Sequence, residues 1–236
     1  MRAVVVSFVA AALVALSGCA TTMGGGASGP PAAAPAVKVG DQWTYHARDG
    51  FRVGVEWTET HEVVAAGPDG ISVRVTLDGP TVSGSRIETW TAPGTVTAGS
   101  LMDIETRRFA VPLQRYAFPM APGQTWNQWV DDFNEATRKA GQINRYVRVG
   151  GWETVATPAG SFEALRLRVF MRLDDEEFWR GPTQCNYLVW YAPSVGASVR
   201  EEKSAEYWEK GSHRDGIGAI RAQNTLMQLV SFRRGA

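Results

Sequence analysis

In Ile71-Ser72-Val73-Arg74-Val75-Thr76-Leu77-Asp78 every odd position is apolar and every even position polar. Side chains on an extended backbone alternate between two faces, so this run makes one apolar face and one wet face. That is a half-buried antiparallel strand. Leu165-Arg166-Leu167-Arg168-Val169-Phe170-Met171-Arg172-Leu173 keeps the same beat except at Phe170, and Val53, Val55 and Trp57 alternate with Gly54, Glu56 and Thr58. Turn formers separate such runs: Gly67-Pro68-Asp69-Gly70, Asp78-Gly79-Pro80, Pro158-Ala159-Gly160 and Asp215-Gly216. Beyond the amino terminus, only Asp132–Ala140 offers a short helix, since Glu135, Ala136, Arg138 and Lys139 favour one. The expected fold class is all-β: a curved antiparallel sheet or half-barrel, with few short helices.

The pattern also occurs twice. One half opens on Gly40-Asp41-Gln42-Trp43 and the other on Gly123-Gln124-Thr125-Trp126. Each continues through a strand with a tryptophan, Trp57 or Trp152, into a Pro/Gly hairpin and a cleanly alternating strand. Each closes on Trp-x-Ala-Pro, at Trp90-Thr91-Ala92-Pro93 and Trp190-Tyr191-Ala192-Pro193. This divides the folded part into two similar β halves, 38–118 and 119–236. Two such half-sheets limit exposed edges by covering each other's apolar face or by closing a barrel.

The amino terminus gives an address. Met1-Arg2 is a short positive start, Ala3–Leu16 is apolar apart from Ser7, and Leu16-Ser17-Gly18-Cys19 follows. This is the layout of a secretory signal, and the run is too short to span a bilayer comfortably. Leu-Ser-Gly-Cys resembles the lipobox of bacterial lipoproteins. The resemblance implies cleavage of the signal peptide 1–18 and lipidation of Cys19, whose acyl chains hold the protein to a membrane. With Ala20 after the cysteine, the sorting habit of that family implies the outer membrane, facing the periplasm. Residues 19–37 are uncharged up to Val37 and rich in Gly, Pro and Ala, and read as a flexible tether.

Charge excludes one class of partner. Lys+Arg and Asp+Glu both count 24, with no basic stripe, so nucleic acid is not expected. Once Cys19 is lipidated only Cys185 remains, so the fold does not rest on an internal disulfide, and Cys185 reads as a small buried hydrophobe. His61-Glu62-Val63-Val64-Ala65 begins like a zinc-protease motif, but Ala65 stands where the second histidine belongs, so no metal is expected. No Gly-x-Ser-x-Gly elbow is present, and Gly216-Ile217-Gly218 lacks the third glycine of a dinucleotide loop. Asp174-Asp175-Glu176-Glu177 reads as a solvated loop, and Asp131-Asp132 lacks the glycine-bent loop of a calcium site. The chain carries no cofactor motif and is not expected to be an enzyme.

Three segments, together with the closing strand Leu226-Met227-Gln228-Leu229-Val230-Ser231-Phe232, carry a second resemblance. Val39-Gly40-Asp41-Gln42-Trp43-Thr44-Tyr45, Thr157-Pro158-Ala159-Gly160-Ser161-Phe162-Glu163-Ala164-Leu165 and Trp190-Tyr191-Ala192-Pro193-Ser194-Val195-Gly196 resemble a broad class of uncharacterised exported β-proteins of the bacterial envelope. The resemblance implies a curved antiparallel sheet and little chemistry. More distantly, the layout is similar to the half-barrel carriers that sort lipoproteins, which is an analogy of fold.

Aromatic content is high, with nine Trp, six Tyr and nine Phe. Much of it is core, because aromatic residues favour strands. Apolar ligand clefts are also lined by such groups, and the candidates here are Trp126, Trp129, Trp179 and Trp190. The expected function is a membrane-anchored lipoprotein that binds a hydrophobic ligand, or an envelope protein, without catalysis. Two alternatives are an assembly subunit acting by sheet-edge pairing and a glycan-active enzyme, which needs two carboxylates converging in a cleft.

Overall fold

The computed structural model describes residues 27–102, 105–174, 178–210 and 219–236. The signal peptide 1–18 and Cys19 lie outside the described residues, as do Asp175, Glu176, Glu177, His213 and the Gly216–Gly218 segment. Twelve strands follow one another: β1 (Gln42–Asp49), β2 (Glu56–Gly67), β3 (Gly70–Asp78), β4 (Gly84–Ala92), β5 (Thr95–Gly99), β6 (Arg107–Gln114), β7 (Thr125–Asn134), β8 (Lys139–Thr157), β9 (Gly160–Asp174), β10 (Thr183–Ala192), β11 (Ala197–Tyr207) and β12 (Ile220–Arg233). Each pairs antiparallel with the next, and β12 returns to β1, with Trp43 opposite Phe232 and Asp49 opposite Thr225. The all-β expectation holds, and the curved sheet closes into a full barrel rather than stopping at a half. Closure pairs the two strands that an open sheet would leave as edges.

Two local expectations are corrected. Among the described residues there is no helix, and the Asp132–Ala140 segment is the β7–β8 hairpin instead. Asn134 Oδ1 accepts from the amides of Ala136 and Thr137 at 3.0 and 3.3 Å, and Arg138 takes φ 57°. That local side-chain turn competes with the helix and wins, because β8 then pairs along the whole of β7. Val53 and Val55 precede β2 rather than belonging to it. Gly54 at φ 79° bends the chain there, and Val53 is fully exposed in the β1–β2 loop.

Residues 38–118 supply β1–β6 and residues 119–236 supply β7–β12. The two openings are bonded alike. Gly40 N donates to Val63 O and Val63 N to Asp41 O, while Gly123 N donates to Val149 O and Val149 N to Gln124 O. Both glycines sit near φ 88°, at 88° and 87°. In each opening the next side chain accepts an upstream amide: Lys38 N to Asp41 Oδ2 at 3.0 Å, and Ala121 N to Gln124 Oε1 at 2.9 Å. Asp41 is buried and also accepts Gly235 N at 2.8 Å, so it ties the start of the barrel to its end.

The segment before β1 is docked rather than loose where it is described. Ala27 pairs with Trp152 and Ala32 with Met120 through two backbone hydrogen bonds each. Ala32 and Met120 are buried in the core, and Pro35 and Val37 add to the wall of the barrel cavity. Gly29 lies against the Trp152 indole so closely that a Cβ there would meet it at 2.3 Å. The described part of the expected tether is therefore a strap across the barrel end where the chain enters β1.

Candidate functional site in the barrel interior

A cavity of about 530 Å³ runs through the barrel. That volume falls within the range of sites that enclose a small organic molecule. Phe51, Arg52, Thr81 and Ser83 line it and are exposed, which puts its mouth at the β1–β2 and β3–β4 loops. In an antiparallel barrel these loops share one end, opposite the end that the strap covers.

The interior wall is mixed. Apolar side chains such as Trp43, Trp90, Val169, Met171 and Met227 face the cavity. So do charged ones, contrary to the expectation of a plainly apolar concave face. On β2, Glu59 and His61 share the inward face with Trp57, and His61 Nε2 lies 2.8 Å from Glu59 Oε1. On β4, Arg86 and Glu88 point inward while Ile87 between them is 44% exposed. Arg115, from the β6–β7 connection, donates to Glu88 at 2.9 Å and lies over the Trp90 ring. On β11, Glu201 takes Lys203 at 2.7 Å and the Ser198 hydroxyl at 2.6 Å. Arg145 is buried on β8 and donates to Gln114 O at 2.9 Å.

These contacts set the charges. Burial pushes the Glu59 carboxyl up, but the His61 hydrogen bond and the Arg86 and Lys203 cations outweigh it and hold it at about 2. Glu88 is likewise pushed up by burial and brought down to about 2 by Arg115 and Arg86. Burial and then repulsion from Arg115 bring Arg145 down to about 10, which leaves it charged at neutral pH. Burial pushes Tyr45, Tyr116 and Tyr191 up, so these rings present neutral hydroxyls. The cavity offers fixed charges and hydroxyls but no carboxyl poised to exchange a proton near neutrality. Among the described residues no group of three or more His, Cys, Asp or Glu could hold a metal ion.

The four tryptophans singled out from sequence are not gathered here, and none of them lines the cavity. Trp126 donates to Gln114 O at 3.0 Å across the β6–β7 seam, and Trp129 on the same strand is 56% exposed. Trp179 is in the β9–β10 loop, edge-on to Tyr207 with Arg180 against both rings. Trp190 is buried beside Arg200 and donates to Glu153 at 2.9 Å. The tryptophans that face the cavity are Trp43, Trp57 and Trp90. The charged wall was missed, yet it left a trace. Arg145 is in phase with Ile143, Val147 and Val149, and Glu201 and Lys203 are in phase with Val199 and Ala205. A charge on the apolar face of a strand is the signal that reading for hydrophobic alternation passes over.

No protein-family model and no curated protein sequence matches the chain. Among solved structures, it resembles a Bacteroides fragilis protein named as exported and as having a YmcC-like fold. The two are 16% identical with a TM-score of 0.51, over 86% of this chain and 100% of that one. It also resembles a Parabacteroides distasonis protein named as a lipoprotein, 13% identical with a TM-score of 0.50, over 87% of this chain and 100% of that one. At such identity the likeness is one of fold.

Proposed function

We propose that the mature protein is a lipid-anchored envelope lipoprotein that binds a small amphipathic molecule inside its barrel and does not transform it. The cavity carries this reading. A chain that buries charges and hydroxyls around 530 Å³ of space, instead of filling it with aliphatic side chains, has shaped that space for contents. The mixed wall favours an amphipathic occupant over a purely hydrophobic one, because an alkane would leave buried donors unanswered. The lipobox at Leu16–Cys19 supports the anchor, and the names of the two structural neighbours agree with an exported protein. Ala20 favours the outer membrane, with the barrel in the periplasm.

Catalysis is not part of the proposal. Glu59 and Glu88 share Arg86, but each is held ionised, Glu59 by His61 and Arg86 and Glu88 by Arg115 and Arg86, so neither is a proton donor. Strand addition by a partner is also disfavoured, because the sheet closes and, among the described residues, the stretch of the β6–β7 seam beyond Arg107–Phe109 is already spanned by the Gln128 and Trp126 side chains.

The test is native mass spectrometry on the protein extracted from membranes without denaturation. The proposal expects a non-covalent adduct of one small molecule per barrel, in addition to the covalent lipid on Cys19. A barrel that is bare in every preparation would count against it. Fractionation of Cys19→Ser tests the anchor: the variant is expected as a soluble or uncleaved form, and a processed, membrane-bound variant would refute the anchor.

A further inference from the structure

We infer that the molecule held in the barrel carries an acidic group, and that Arg86 and Arg145 receive it. This rests on the cavity being the binding site. The Arg86 side chain is only 8% exposed and faces the cavity. One nitrogen does all its work: Nη2 lies 3.5 Å from Glu59 Oε1 and 3.5 Å from Glu88 Oε1. Its Nε and Nη1 are buried and donate to nothing among the described residues. Arg145 faces the same cavity, is 6% exposed, and has the Gln114 carbonyl as its partner. Among the described residues it forms no ion pair.

The carboxylates nearby are already engaged. Glu88 takes Arg115 at 2.9 Å, Glu201 takes Lys203 at 2.7 Å and Glu59 takes His61 at 2.8 Å. Asp49 and Arg52 at the mouth pair with each other. Leaving His61 aside, the inner wall sets four cations, Arg86, Arg115, Arg145 and Lys203, against three carboxylates, Glu59, Glu88 and Glu201. A buried guanidinium with idle donors is costly until an acceptor arrives. Its planar fork fits two oxygens of a carboxylate or a phosphate. A cationic ligand would meet an excess of positive charge, and a neutral alkane would leave the donors idle. The occupant that answers both halves of the wall is an acidic amphiphile, its head on the arginines and its apolar body against Trp43, Trp90 and Met227.

The test compares octanoate, monooctyl phosphate and 1-octanol by titration calorimetry, using the mature detergent-solubilised protein at neutral pH. At least one acid is expected to bind about tenfold or more tightly than octanol, the factor that one charge-assisted hydrogen bond supplies. The stronger of octanoate and octyl phosphate identifies the acid. Arg86→Met and Arg145→Met are each expected to bring the ratio of acid to octanol affinity, measured within the same variant, most of the way toward one. Arg145→Lys keeps the charge and should retain part of the acid's advantage, which separates a lost anion contact from a lost fold. Equal affinity for octanol and both acids would overturn the acidic-group inference and leave the cavity site standing. Saturable binding of none of the three would overturn the cavity reading as well.

Discussion

Arg86 on β4 reaches over β3 to Glu59 on β2 through a single nitrogen, Nη2, at 3.5 Å, and the same nitrogen stands 3.5 Å from Glu88. One cation thus links carboxylates from two strands, while Arg115 secures Glu88 from the other side at 2.9 Å. The network holds charge inside a barrel where apolar filling would be simpler.

The network makes stability pH-dependent. Glu59 and Glu88 are both held at about 2 in the fold, below the ordinary value of 4.5. The folded state therefore binds their protons more weakly than the unfolded chain does. Their contribution is complete above pH 4.5 and is lost as the pH falls toward 2. Thermal melts followed by circular dichroism should show a steep decline in Tm over that window. Glu88→Gln should lower stability at neutral pH by on the order of 3 kcal/mol, because it leaves Arg115 and Arg86 short of a counter-charge. The same variant should flatten the acid limb.

Asp41 should behave as the clasp of the barrel. Its carboxylate accepts Lys38 N at 3.0 Å and Gly235 N at 2.8 Å, with Arg234 3.7 Å away. Asp41→Ala removes the acceptor and leaves two part-buried amides without their partner, at a cost of about 1 kcal/mol. Urea unfolding measures it, and an unchanged midpoint would mean that the two termini are not held through this residue.

The two glycines of the β2–β3 hairpin should differ sharply. Gly70 sits at φ 119°, and a Cβ there would come within 2.6 Å of the Trp90 carbonyl, whereas a Cβ on Gly67 meets nothing within 4 Å. Gly70→Ala should cost about 1–3 kcal/mol, and Gly67→Ala should stay within about 0.5 kcal/mol of wild type. Equal effects in denaturant melts would contradict the turn geometry.

The β6–β7 seam should depend on a side chain for its closure. Its backbone pairing covers only Arg107–Phe109 on β6. Beyond that, the Gln128 amide spans the gap like a piece of strand, donating to Pro112 O at 2.9 Å and accepting Gln114 N at 2.8 Å. Gln128→Leu should speed hydrogen exchange at Gln114 while leaving β8 and β9 protected. If Gln114 exchanges no faster in the variant, the side chain is not what closes the seam.

Much of the architecture was legible because a half-buried strand writes its period into the chain. The alternation at Ile71–Asp78 and Leu165–Leu173 falls on β3 and β9 as read. Closure was less legible, since it depends on β12 finding β1 across the whole length of the domain. The hairpin at Asn134–Arg138 was misread because helix propensity is weak beside an Asx turn and a long pairing partner. The site was hidden for a related reason. On β4 the apolar Ile87 faces outward and Arg86 and Glu88 face inward, the reverse of what hydrophobic alternation assigns. Aromatic content pointed toward a cleft, but abundance does not say which face of a strand a tryptophan occupies. Cys19 remains the residue whose chemistry the sequence names most directly, and it lies outside the described residues.

The central claim is that the barrel interior is the binding site, and filling the cavity from its wall tests it most directly. Val189 is buried and faces the cavity opposite Glu201 in the β10–β11 pairing, so Val189→Trp places an indole in the space. Calorimetric titration with the tighter-binding of octanoate and monooctyl phosphate should give one bound molecule per wild-type barrel and no detectable binding to Val189→Trp, with the far-ultraviolet circular dichroism of the two proteins superimposable. Unchanged binding of that acid by a folded Val189→Trp would place the ligand elsewhere and contradict the account.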